Sequence, residues 1–169
     1  LVLNGNNLGE IPEAVKNLRF LKSLDLGKND ISVVESARFE GLDNLFALRL
    51  FDNSIVNITK DAFATLPSLQ ILNLASNKIK FIDRQAFGGN STVKALRLDM
   101  NELTDIRGVF INMNYLGWLN ISNNDLVSFD YGQMPPSLEW LDMHQNRIQK
   151  LENHLDLKSN INIKMLNVG

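Results

Sequence analysis

The sequence predicts an α/β-type solenoid: a horseshoe segment with a parallel concave β-sheet and a mostly irregular or short-helical convex side. Three observations carry this. First, a template of the form L-x-x-L-x-L-x-x-N-x-L, seen at Leu21, Leu24, Leu26, Asn29 and Ile31, returns at residues 45–55, 69–79, 93–103, 116–126 and 138–148. Second, its asparagine falls at Asn6, Asn29, Asn53, Asn77, Asn101, Asn124 and Asn146, at spacings of 23, 24, 24, 24, 23 and 22 residues. Third, the 169 residues include 27 leucines and 22 asparagines, an excess that a repeated structural role explains.

Each part of the repeat has a physical reason. Side chains alternate along a strand, so L-x-L sends two leucines to one face and the x residues to the other. One strand per repeat, stacked parallel at about 4.8 Å, gives a ribbon on the order of 40 Å long for eight strands. The template asparagine lies in the turn leaving the strand, where its buried amide can satisfy backbone groups of that turn and of its neighbour. On the outer side, Phe39, Phe63 and Phe87 each lie ten residues after a ladder asparagine, and Phe110 and Val15 lie nine after theirs. These predict a stacked spine filling the outer core. After Asn124 the pattern changes to Tyr131 and the pair Pro135-Pro136, which argues against helix and for an extended outer strand. The array is predicted to occupy residues 1–169 as seven to eight repeats. Partial copies at both ends (Leu1, Leu3, Asn6, Leu8 and Ile163, Leu166, Val168) lack caps, so an interior fragment of a longer array is expected.

Composition excludes several classes. A net charge of −2 makes a poor general nucleic-acid binder, and a hydrophobic fraction of 44% is too high for a disordered tail. No run of about 18 apolar residues exists to span a bilayer as a helix. The start, Leu1-Val2-Leu3-Asn4, has no signal-peptide pattern, and zero cysteines exclude disulfides and thiolate sites within this chain. His144 and His154 are the only histidines, with no Ser/His/Asp spacing, H-E-x-x-H or phosphate-binding glycine loop beside them. No enzyme, metal or cofactor is therefore expected. Two histidines also argue against an acid-gated nucleic-acid sensor.

These repeats resemble the leucine-rich repeat, and the 23–24-residue length with a Phe spine resembles the extracellular animal type. Residues 66–75, Leu-Pro-Ser-Leu-Gln-Ile-Leu-Asn-Leu-Ala, look like a Toll receptor ectodomain. More specific are Leu103-Thr104-Asp105-Ile106, Trp118-Leu119-Asn120-Ile121-Ser122-Asn123-Asn124, Phe129-Asp130-Tyr131, Pro135, and Leu138-Glu139-Trp140-Leu141-Asp142-Met143-His144. Together they closely resemble the long Toll receptors of insects and other arthropods, well over residues 40–155 and generically before. The resemblance implies a single-pass receptor at the extracellular face of the plasma membrane. Its transmembrane helix and TIR domain would lie outside this chain. It also implies signalling in innate immunity or cell–cell recognition in development, and a protein partner: a cystine-knot cytokine-like ligand or another receptor, with dimerisation one mode. The alternative is a non-signalling adhesion or matrix protein.

Rows of free side chains on a rigid sheet make the concave face the expected binding surface. The x before the central leucine reads Ser23, Ala47, Ile71, Ala95, Trp118, Trp140 and Met165, an apolar row with two adjacent tryptophans. The middle x of L-x-L reads Val2, Asp25, Arg49, Asn73, Arg97, Asn120, Asp142 and Asn167. Candidate partner contacts are Trp118, Trp140, Phe51, Met100, Arg49, Arg97 and His144. Asn-x-Ser/Thr sequons mark Asn57, Asn90 and Asn120 for glycosylation, with Asn120 on the concave sheet itself.

Overall fold

The structure is a computed structural model that describes residues 1–154 and 162–169. Its strands in chain order are β1 (Ser23–Asp25), β2 (Ala47–Arg49), β3 (Asn57–Ile58), β4 (Ile71–Asn73), β5 (Phe81–Ile82), β6 (Ala95–Arg97), β7 (Trp118–Asn120), β8 (Ser128–Asp130), β9 (Trp140–Asp142), β10 (Lys150–Glu152) and β11 (Met165–Asn167). Seven of them form one sheet in the order β1-β2-β4-β6-β7-β9-β11. Every pairing is parallel and in template register, for example Leu48↔Leu72 and Leu72↔Leu96. Val2 adds an isolated parallel bridge to Asp25, an eighth rung reduced to one residue.

The L-x-L leucines face inward as the alternation requires. Leu24, Leu26, Leu48, Leu50, Leu96 and Leu98 are fully buried, whereas Leu166, on the last strand, stays exposed because nothing stacks beyond β11. The outer spine also forms. Phe39, Phe63 and Phe87 are buried and stack successively at ring-centroid distances of 6.5 and 5.7 Å, with Val15 and Phe110 buried at the equivalent positions. The convex side carries short 3-10 turns at Glu13–Asn17, Ser36–Phe39 and Tyr131–Gln133, and no α-helix among the described residues.

The ladder asparagines work as two-sided clamps. Asn77 donates from Nδ2 to the carbonyls of Leu50, one repeat earlier, and of Leu74 and Ala75 in its own turn, while its Oδ1 accepts from the Ile55 N–H. Asn29, Asn53, Asn101 and Asn124 repeat this and are buried. Two members depart from the expected burial. Asn6 is exposed, bonding among the described residues to the Leu3 and Asn4 carbonyls of its own turn alone, since no earlier turn lies against it. Asn146 keeps its bonds to Ile121 and Leu126 but is half-buried, and Gly169 lies beside its turn.

Two features go beyond the sequence reading. The residue before each ladder asparagine has positive φ: Gly5, Lys28, Asp52, Ser76, Met100, Asn123 and Gln145, at 52–67°. This left-handed residue turns the chain out of the strand. The outer side also carries two small parallel sheets, β3–β5 and β8–β10; β8 supplies the extended outer strand expected after Asn124, and β3–β5 was not foreseen. β8 lies upstream of the proline pair. Asp130 then accepts from the Gly132 N–H and starts the turn at Tyr131–Gln133, so the prolines follow a turn instead of forming a strand.

Candidate functional site

The x residues of the seven-stranded sheet form a continuous face whose side chains are mostly half-buried or exposed, with Ala47 and Asp142 buried. Trp118 and Trp140 are neighbours there through the register of β7 and β9. Both are half-buried, less exposed than expected, because the indoles stack face to face, with planes within 5° of parallel and centroids 4.3 Å apart. Ala95 flanks Trp118 in the next strand, a side chain too small to cover the other face of its ring.

The polar row is more engaged than the alternation suggested. Asp25, Asn73, Asn120, Asp142 and Asn167 each accept, through a side-chain oxygen, from the backbone N–H two residues on. They close the turn that the positive-φ residue then completes. Asn120, expected to be free, is therefore half-buried, with Oδ1 held 2.9 Å from the Ser122 nitrogen. The repeated Asp/Asn at this position was the signal for this second ladder.

The remaining candidates divide in the same way. Arg49 donates to Ser23 Oγ at 3.2 Å and is half-buried. Arg97 is exposed but forks onto Asp99 at 2.9 and 2.7 Å; that carboxylate is 5% exposed, and the pairing strengthens the guanidinium's hold on its proton. Phe51 is half-buried, with its ring so close over Gly27 that a β-carbon there would sit 2.3 Å from it. Met100 is exposed and occupies the left-handed turn position. His144 Nδ1 lies 2.5 Å from Asp142 Oδ1, leaving the ring half-buried. Asn57 and Asn90 are both exposed, Asn57 on β3 and Asn90 in a convex loop. Phe46 at the entry to β2 and Ile71 on β4 add exposed apolar surface; Phe46 escaped the sequence reading because its template position carries no fixed chemistry.

Away from this face, Asp130, Glu152 and His154 bring three ligand-type atoms within 4.8 Å of one another. The sequence reading missed this trio, which the repeat period aligns. Lys150 is paired with Glu152, and His154 Nδ1 lies 3.0 Å from Asp130, so the carboxylates already have cationic or donor partners.

The fold and strand face thus described are those of one protein class: the leucine-rich repeat model matches residues 1–55, 47–103 and 67–126, and the chain belongs to the leucine-rich repeat family. Within it, the chain is 55% identical to Toll-like receptor 7 of Drosophila melanogaster over 162 residues, 96% of this chain and 11% of that protein. It thus spans about a tenth of the relative's length. Solved structures share the fold: the leucine-rich repeat domain of APL1B (TM-score 0.84, 22% identity, 99% of this chain and 49% of that one) and TLR13 in its complex with ssRNA13 (0.81, 24%, 99% and 28%). The LRIM1/APL1C complex is also similar (0.75, 23%, 88% and 26%).

Proposed function

We propose that this array of seven to eight repeats is an extracellular, non-enzymatic partner-binding segment of a Toll-family cell-surface receptor, acting in innate immune signalling, developmental cell–cell recognition or both. The observation that carries this is the 55% identity to Toll-like receptor 7 along 96% of the chain. The receptor would reach the membrane through a transmembrane helix outside this chain; no described helix is long and apolar enough to cross one. The partner is a protein, either a cystine-knot cytokine-like ligand or a second receptor copy. Nucleic acid is disfavoured by the face itself: Arg49 and Arg97 are each committed to a neighbour, and Asp25 and Asp142 stand in the same row. A glycan on Asn120 would obstruct the sheet centre, so the partner uses a flank, with Trp118 and Trp140 at the edge of its footprint. Buried aromatic anchors of this kind lose about 2 kcal/mol or more on truncation.

The test uses the ectodomain carrying Trp140→Ala, with its fold confirmed by circular dichroism. Binding is measured to a secreted second copy and to a cystine-knot cytokine-like ligand. Weakening of about thirtyfold toward one of them, the equivalent of about 2 kcal/mol, is expected. Unchanged binding to both removes the tryptophans from the footprint. A non-signalling adhesion protein is the second reading, favoured by the same rigid face if no signalling domain follows.

A further inference from the structure

We propose that two aromatic side chains are seats for the chain's own N-linked glycans: Trp118 for the first sugar on Asn120, and Phe81 for the first sugar on Asn57. This rests on the reading of those asparagines as glycosylation sites.

The geometry is the same in both places. Trp118 and Asn120 are two residues apart on β7, so their side chains leave the same face of the sheet. Asn57 and Phe81 are in direct register across β3 and β5; both are exposed, while the alternate residues Ile58 and Ile82 are buried. Each sequon therefore has an aromatic ring one side-chain length away, and Phe81 is 55% exposed.

The rings are also kept free. Trp140 covers one face of Trp118, and the register neighbour on the other side is the small Ala95. Arg97, the side chain that could lie over that face, is held by Asp99. Near Phe81, Arg107 is held by Asp105. The attachment atom of Asn120 is presented outward: Oδ1 is fixed by the Ser122 N–H, and Nδ2 makes no hydrogen bond among the described residues and is not buried. An N-glycan keeps that carbonyl oxygen, so the turn survives modification. Asn73 and Asn167 hold the same turn but belong to no sequon.

The chemistry is complementary. Transfer from a dolichyl-pyrophosphate oligosaccharide joins Nδ2 to C1 of N-acetylglucosamine; the C1–O bond to pyrophosphate breaks and the amide gives up one proton. The sugar's weakly positive axial C–H groups then meet the negative face of the ring. Asn90, in a convex loop with Phe63 and Phe87 buried behind it, has no exposed ring in this position and serves as the internal control.

The chain is secreted from insect cells, and occupancy is read by glycopeptide mass spectrometry. Melting is then compared for Asn120→Asp, which keeps the turn acceptor as Asp25 and Asp142 do, in the wild-type and Trp118→Ala backgrounds, for Asn57→Gln in the wild-type and Phe81→Ala backgrounds, and for Asn90→Gln in all three. Loss of the glycan at Asn120 or Asn57 is expected to lower Tm by about 2–4 °C when the ring is present and by much less when it is absent. Asn90→Gln is expected to give the same shift in every background. Trimming to a single N-acetylglucosamine should preserve the coupling. If Trp118→Ala is not secreted, fluorescence decides for that site: removing the Asn120 glycan should red-shift the indole emission, and an unchanged spectrum overturns the seat. Vacant sequons overturn the attachment reading. Occupied sequons with additive effects overturn the seats alone and leave the rings to a protein partner.

Discussion

Asn77 shows how much a single side chain does in this chain. Its amide satisfies three carbonyls and one N–H that the turn would otherwise bury without partners. Asn77→Ala should cost about 3 kcal/mol or more, because each orphaned group costs about 1–3. Asn6→Ala, at an exposed site, should stay within about 0.5 kcal/mol. Chemical denaturation measures both, and equal losses would refute the clamp. Met100 is the reverse situation: a long side chain held at φ 58°, where L-residues carry a penalty of about 1–2 kcal/mol. Met100→Asn should raise stability by roughly 1 kcal/mol, and a destabilised variant would show that the Met100 contact with Ser76 outweighs the backbone. The asparagine ladder could be read in the sequence because its chemistry allows one residue type. The left-handed position could not: lysine, aspartate, serine, methionine, asparagine and glutamine all occupy it, since the turn constrains backbone and leaves the side chain in solvent.

Strands were legible wherever two leucines alternate, and illegible where the outer segment has only two or three residues. β3 and β5 form because neighbouring repeats bring Ile58 and Ile82 into register, a tertiary effect that no local pattern announces. The strand face was legible in its row assignments and less so in its engagement: the row of Asp and Asn looked free because turn closure by the next-but-one N–H depends on backbone direction. At the β8–β10 sheet, Asp130 links the two strands and the following turn. Burial works against its ionisation, but the Gly132 N–H, the His154 ring and the His154 N–H outweigh it, so its carboxyl sits below the ordinary value of 3.8. A depressed value means that its stabilisation is complete above the unfolded pKa and is lost as pH falls through the folded one. Between about pH 5 and pH 2, Tm should fall more steeply for the wild type than for Asp130→Asn. Parallel curves would separate Asp130 from the acid limb.

At the scale of the whole molecule, repeats touch only their neighbours, so stability accumulates turn by turn and the strand face is held stiff mainly by the core and the asparagine ladder beneath it. This is why the spacing of leucine and asparagine foretold the architecture and set Trp118 beside Trp140, whereas the face-to-face stacking of the two indoles needed the structure. A stiff face with spare aromatics suits recognition in a receptor and in an adhesion protein alike, and the difference lies in what the chain is joined to. Full-length coding sequence of the transcript is therefore the most direct measurement. The receptor account predicts a single transmembrane helix after the repeats, followed by a TIR domain. Repeats that end in a secreted terminus or a lipid anchor, with no cytoplasmic domain, would contradict it.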